Sequence, residues 1–154
     1  MKNEYEKINN NMLKFALKAD RAIYGGSYSD GTIKYSVITD GVTAYACPDA
    51  LCRVRVDGLR WADFNHLFAG NVDTISRDPA ARVALPLPEI VPDGNKLKTV
   101  YLVADTLALN KKYIDSFGPG VQVFRAPSLG MFYIYNSIGF CGVVMACRVS
   151  RREV

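Results

Sequence analysis

The stretch Thr32-Ile33-Lys34-Tyr35-Ser36-Val37-Ile38-Thr39-Asp40-Gly41-Val42-Thr43-Ala44-Tyr45-Ala46-Cys47 sets the fold class. Two β-rich segments flank Thr39-Asp40-Gly41-Val42, and Asp-Gly between apolar alternations is the strongest short-range signal of a β-hairpin. Ile33, Tyr35 and Val37 fall on one face of the first strand, since side chains alternate along a strand. Immediately downstream, Leu51 to Val56 sets Cys52, Val54 and Val56 against Arg53 and Arg55, which predicts one buried face and one basic, wet face.

Working outward, the upstream segment has helical spacing. Asn9, Asn10 and Asn11 offer a cap, and apolar residues follow at Met12, Phe15, Ala16, Ala19 and Ile23. Lys14, Lys18 and Arg21 line up on a different face as a basic stripe. Gly25-Gly26 and then Ser27-Tyr28-Ser29-Asp30-Gly31 predict a helix stop and a loop. Downstream, Trp61, Phe64, Leu67 and Phe68 predict a short amphipathic helix ending at Gly70.

From about 70 to 99, Pro79, Pro86, Pro88 and Pro92 predict an irregular, extended connection, with a short edge strand at Arg82 to Leu85 and a turn at Pro92-Asp93-Gly94-Asn95. The last third predicts a strand from Val100 to Leu109, then a short helix capped by Asn110, with Tyr113, Ile114 and Phe117 as its apolar face. Gly118-Pro119-Gly120 ends it, and strands follow at Val121 to Phe124, Met131 to Tyr135 and Gly142 to Val149. The expected fold is α+β, with two helices packed on a largely antiparallel sheet.

At 154 residues, 49% hydrophobic and 22% charged, the chain has the size and composition of one folded domain, here residues 1–154. No apolar run reaches the roughly 18 residues a bilayer requires, and the first residues lack the apolar core of a signal peptide, so the expected location is the cytosol. Neither Cys47 with Cys52 nor Cys141 with Cys147 has the close spacing of a zinc knuckle or a redox motif, and one histidine makes a metal site poorer still. No metal or other cofactor is expected. Net charge of +4 permits a polyanionic partner without requiring one.

The order of elements and two short motifs resemble one domain of a DNA sliding clamp, particularly the bacterial β clamp. Leu109-Asn110-Lys111-Lys112-Tyr113-Ile114-Asp115-Ser116-Phe117, followed by strands and Gly142-Val143-Val144-Met145-Ala146-Cys147-Arg148-Val149, is similar to the clamp's closing region. There an asparagine-led short helix precedes a terminal strand of the type Val-Val-Met-Pro-Met-Arg-Leu. Thr39-Asp40-Gly41 is similar to the clamp's Thr-Asp-Gly-His-Arg-Leu turn. Ala146 stands where that family has proline, Val42-Thr43 where it has His-Arg, and residues Gly58 to Lys98 are unmatched.

The resemblance implies a DNA-clamp-like domain, a non-catalytic platform tied to replication or a mobile element, with duplex DNA and replication or repair proteins as partners. A single such domain would need several copies to encircle DNA, so a homo-oligomer assembled through sheet edges is expected. It also implies that Lys14, Lys18, Arg21, Lys111 and Lys112 face DNA phosphates, against the plainer reading of a solvated helix face. Thr39, Gly41 and Val42 would form one wall of a peptide-accepting pocket, and Val144, Met145, Ala146, Cys147 and Arg148 the other. The plainer reading there is a tight turn beside a core strand. An alternative function is a protein-interaction module with a clamp-like fold and no DNA contact. No catalytic constellation is legible: Asp63 and His66 are three apart on a predicted helix, which fits a surface contact better than acid–base chemistry.

Overall fold

Alternation along Tyr35, Val37 and their neighbours produces strands, and the Asp-Gly turn joins them as read. The computed structural model describes residues 4–18, 23–68, 72–104, 106–127 and 130–149. In chain order its elements are α1 (Glu6–Lys18), β1 (Tyr24–Ser29), β2 (Lys34–Thr39), β3 (Thr43–Pro48), β4 (Arg60–Trp61), α2 (Phe64–Leu67), α3 (Val72–Ile75), β5 (Arg82–Val83), β6 (Glu89–Asp93), β7 (Lys96–Leu102), β8 (Leu107–Asn110), α4 (Lys111–Asp115), β9 (Gln122–Arg125), β10 (Met131–Tyr135), β11 (Phe140–Met145) and β12 (Cys147–Arg148). The fold is α+β and dominated by sheet.

The strands form two sheets: one of order β4-β1-β2-β3-β11-β10-β9-β5 and a smaller one of order β12-β8-β7-β6. Every pairing is antiparallel except the short parallel pair of β1 with β4. Two three-stranded meanders, β1-β2-β3 and β9-β10-β11, meet third strand to third strand, with Thr43, Ala44 and Tyr45 opposite Val144, Val143 and Gly142. Each meander follows a helix, α1 in one case and α4 in the other.

Both faces of the large sheet are buried. One side packs Tyr5, just before α1, with Ile8 and Met12 of α1 and Ile114 of α4 onto Ile38, Tyr45, Phe132, Ile134 and Val144. The other packs Phe64, Phe68, Val72 and Ile75, from the α2 and α3 region, onto Tyr28, Tyr35, Val37, Tyr133 and Val143. Consecutive Val143 and Val144 thus enter different cores, as the period of two requires.

Several expectations change. Asn9, Asn10 and Asn11 lie within α1, which starts at Glu6, so they do not cap it. Gly25 and Gly26 belong to β1, where a loop was expected. A Cβ on Gly26 would stand 2.5 Å from the Ala62 carbonyl oxygen, so glycine is needed because a crossing segment lies against the strand. Leu51 to Val56 keeps its alternation of half-buried and exposed residues without forming a strand. Trp61, read as part of a helical apolar face, is in β4 and 64% exposed.

The predicted irregular connection at 70–99 instead supplies α3, β5, β6 and the start of β7. Its Pro92-Asp93-Gly94-Asn95 turn does close a hairpin, that of β6 and β7. β5 is an edge strand, and Pro92 sits on β6, also at an edge, where a missing N–H is tolerated. The single strand expected from Val100 to Leu109 is a hairpin of β7 and β8, and that expected from Gly142 to Val149 breaks at Ala146 between the two sheets.

Candidate functional site

The β2–β3 turn is fixed by its own side chains. Asp40 Oδ1 accepts from the N–H groups of Val42 and Thr43, both at 2.9 Å, and Thr39 Oγ1 donates to the Thr43 carbonyl at 2.9 Å. Gly41 has φ of +92°, in the left-handed region that glycine adopts freely. The Met145 N–H then donates to the Val42 carbonyl at 2.8 Å, pinning the turn to the end of β11. Two segments far apart in sequence therefore meet within one chain.

Across this junction lies α2. Asp63 caps it by accepting from the His66 backbone N–H at 3.3 Å, and Asn65 Oδ1 accepts from the Ser29 N–H at 2.9 Å, holding the helix on β1. The cap is what joins Asp63 to His66. Phe64 and Phe68 are buried, whereas Leu67 is 47% exposed.

Between α2 and the sheet is a cavity of about 420 Å³ lined by Tyr24, Thr39, Gly41, Val42, Ala44, Ala62, Phe64, Leu67, Phe68, Met131, Val143 and Met145. The lining is almost wholly apolar and includes no carboxylate, imidazole, ammonium or guanidinium, so the space suits an uncharged, greasy group. Its deep neighbour Tyr133 has a hydroxyl pushed up to about 12, first by burial.

Of the peptide-site residues named from sequence, Thr39, Gly41, Val42 and Met145 are brought together here. Val144 is fully buried in the core on the α1 side of the sheet. Ala146 makes the step between sheets, its N–H donating to the Gly130 carbonyl, and Cys147 and Arg148 pair with Ala108 and Leu107 in the smaller sheet. These four do not line the cavity. The α2 wall was missed as a site, although the spacing of Phe64, Leu67 and Phe68 was visible. A core helix and a groove wall share that pattern, and only the exposure of Leu67 separates them.

Lys14, Lys18, Lys111 and Lys112 sit on two adjoining helices. Lys7 of α1 donates to the Asp115 carbonyl at 3.0 Å and Asn11 to the Ser116 carbonyl at 2.7 Å, so α1 runs beside the end of α4. Lys14, Lys18 and Lys112 are exposed, with the Lys18 ammonium 5.6 Å from the Phe15 ring centroid. Lys111 is bonded to Asp115 at 2.6 Å, which raises its pKa. Arg21 lies outside the described residues. Asn110 caps α4 as expected, accepting from the Lys112 N–H at 3.0 Å.

No protein-family model, curated protein or solved structure matches this chain. Among the described residues no helix is long and apolar enough to cross a membrane.

Proposed function

We propose that this chain is a non-catalytic binding module that accepts apolar side chains of a peptide partner in the groove between α2 and the β2–β3 turn. The observation that carries the reading is the convergence of Thr39, Gly41, Val42 and Met145 on one apolar cavity. In the sliding-clamp domain that the sequence resembles, a similar turn borders a peptide pocket. An apolar cavity with an exposed Leu67 and Val42 at its wall is also the surface that an anchor residue of a short peptide fills.

A displayed random-peptide library selected on the full chain tests it. Peptides bearing aliphatic or aromatic anchors should be enriched, and Val42→Glu, at a position 40% exposed and thus tolerant of charge, should weaken them at least about tenfold. Equal enrichment on wild type and Val42→Glu would sink the proposal.

A second reading is contact with duplex DNA as in a clamp-like, self-assembling platform. It draws on the exposure of Lys14, Lys18 and Lys112 along two adjoining helices. Phosphate contacts release counterions, so anisotropy with a labelled duplex should show affinity falling steeply with salt, and Lys14→Ala with Lys18→Ala should flatten that slope. Absence of binding at low salt removes DNA from the account and leaves the protein-interaction module.

A further inference from the structure

α1 buries Ile8, Asn9 and Met12 against the sheet and turns a second apolar row outward. Leu13 and Leu17, four residues apart and so one above the other, are 47% and 75% exposed. Lys14 and Lys18 form the next row round the helix, both exposed, and exposed Lys7 stands nearer its start on the same side. Beside that row α4 is held by the bonds of Lys7 and Asn11 to the carbonyls of Asp115 and Ser116, and its Lys112 is exposed.

The opposite flank of the leucines is basic too. Asn9 stands one turn before Leu13 in the same row, and its Oδ1 accepts from the Arg53 N–H at 2.8 Å, which sets exposed Arg53 on that side. Among the described residues no carboxylate lies within ion-pair distance of Lys14, Lys18, Lys112 or Arg53, since the ion pairs take Arg55, Lys98 and Lys111. The single acid of α1, Glu6, is in its first turn, about 10 Å along the axis from Leu13. The second half of the helix thus offers a raised apolar row edged by cations.

We propose that this face of α1 docks on an anionic lipid surface, with Leu13 and Leu17 entering the boundary between headgroups and acyl chains and Lys14, Lys18, Lys112 and Arg53 meeting the lipid phosphates and carboxylates. The leucines select lipid among the partners a basic face admits. A DNA duplex would engage the lysines and leave the row beside them in water. A second copy of the face would set lysine against lysine. A peptide takes anchors into a concavity, whereas Leu13 and Leu17 stand on a ridge. A bilayer surface is flat, negative and greasy just beneath, which is the complement of such a ridge. The helix, 13 residues long, lies on the surface and does not span it. α1 and α2 pack on opposite faces of the large sheet, so the groove beside α2 stays open while α1 is docked.

Co-sedimentation of the full chain with vesicles tests this, using phosphatidylcholine alone and phosphatidylcholine with about a third phosphatidylserine. Binding is expected to the anionic vesicles only, falling as salt rises. Leu13→Gln with Leu17→Gln, polar changes that keep helix propensity, should lower the partition coefficient about tenfold, and Lys14→Gln with Lys18→Gln by a similar factor. Both pairs are exposed, and an unchanged urea midpoint verifies that each variant is folded, so lost binding is a lost surface. Equal binding to neutral and anionic vesicles, or none to either, overturns the proposal. So does anionic-vesicle binding that survives the leucine change, because the face is then a plain polycation and duplex DNA is the better occupant.

Discussion

Asn9 is 4% exposed on α1, and its amide donates to the carbonyls of Tyr5 and Leu51 at 3.0 and 3.1 Å while accepting from the Arg53 N–H at 2.8 Å. The last two bonds reach a segment that has no regular secondary structure and so no ladder to satisfy its backbone. Asn9→Ala would leave a part-buried carbonyl and N–H without the amide that bonds them, a cost of about 2 kcal/mol. Urea unfolding should show a lowered midpoint with an unchanged slope, and a loss below about 1 kcal/mol would show that water replaces the amide. In the sequence, Asn9, Asn10 and Asn11 read alike as cap residues. Position separates them: Asn9 is buried, Asn10 exposed, and Asn11 donates across to Ser116. Leu51 and Arg53, which distinguish Asn9, and Ser116, which binds Asn11, lie tens of residues away in sequence, beyond anything local spacing conveys.

The same division between local and distant causes runs through the elements. The β2–β3 hairpin, the Asn110 cap of α4 and the extent of β10 were legible because Asp-Gly, a side-chain cap and alternation act within a few residues. β1 was not, since its Gly25-Gly26 pair carries a helix-stop signature, whereas the real demand comes from Val56, Ala62 and Phe64 packed against it. Half of the groove was legible for the same reason: the turn residues carry a motif, and the α2 wall carries only an amphipathic spacing. Gly26→Ala tests the crossing. The new methyl would stand 2.5 Å from the Ala62 carbonyl oxygen and 3.0 Å from the Phe64 ring, so the segment leading into α2 must move. A loss of about 2 kcal/mol in stability is expected, with peptide affinity reduced in parallel because α2 is a groove wall. Gly58→Ala, where a Cβ meets open space, is the control and should change neither.

Over the whole molecule, edges decide assembly. The large sheet ends in β4 and β5, each two residues long, and such short strands offer little to another chain. β6 is longer at five residues, sits at the edge of the smaller sheet, and with β7 presents Ile90 and Leu97 at 69% and 72% exposure. Self-association is therefore expected through β6, not through the large sheet. Light scattering across a concentration series should show mass rising above the monomer, and Ile90→Asp should return it; a monomer throughout at high micromolar concentration would exclude the self-assembled platform. The seam between β3 and β11 bears on a different moment in the protein's life. It pairs residues nearly a hundred positions apart, and the Tyr5 hydroxyl likewise waits for the Phe140 carbonyl. In the finished molecule β3 is central, with Thr43 to Cys47 all buried, but on a chain emerging from the ribosome it is an edge strand with its outer side bare until Phe140 to Met145 has been made. The growing polypeptide thus carries its stickiest strand uncovered through most of its own synthesis, and that interval is when a chaperone has something to hold.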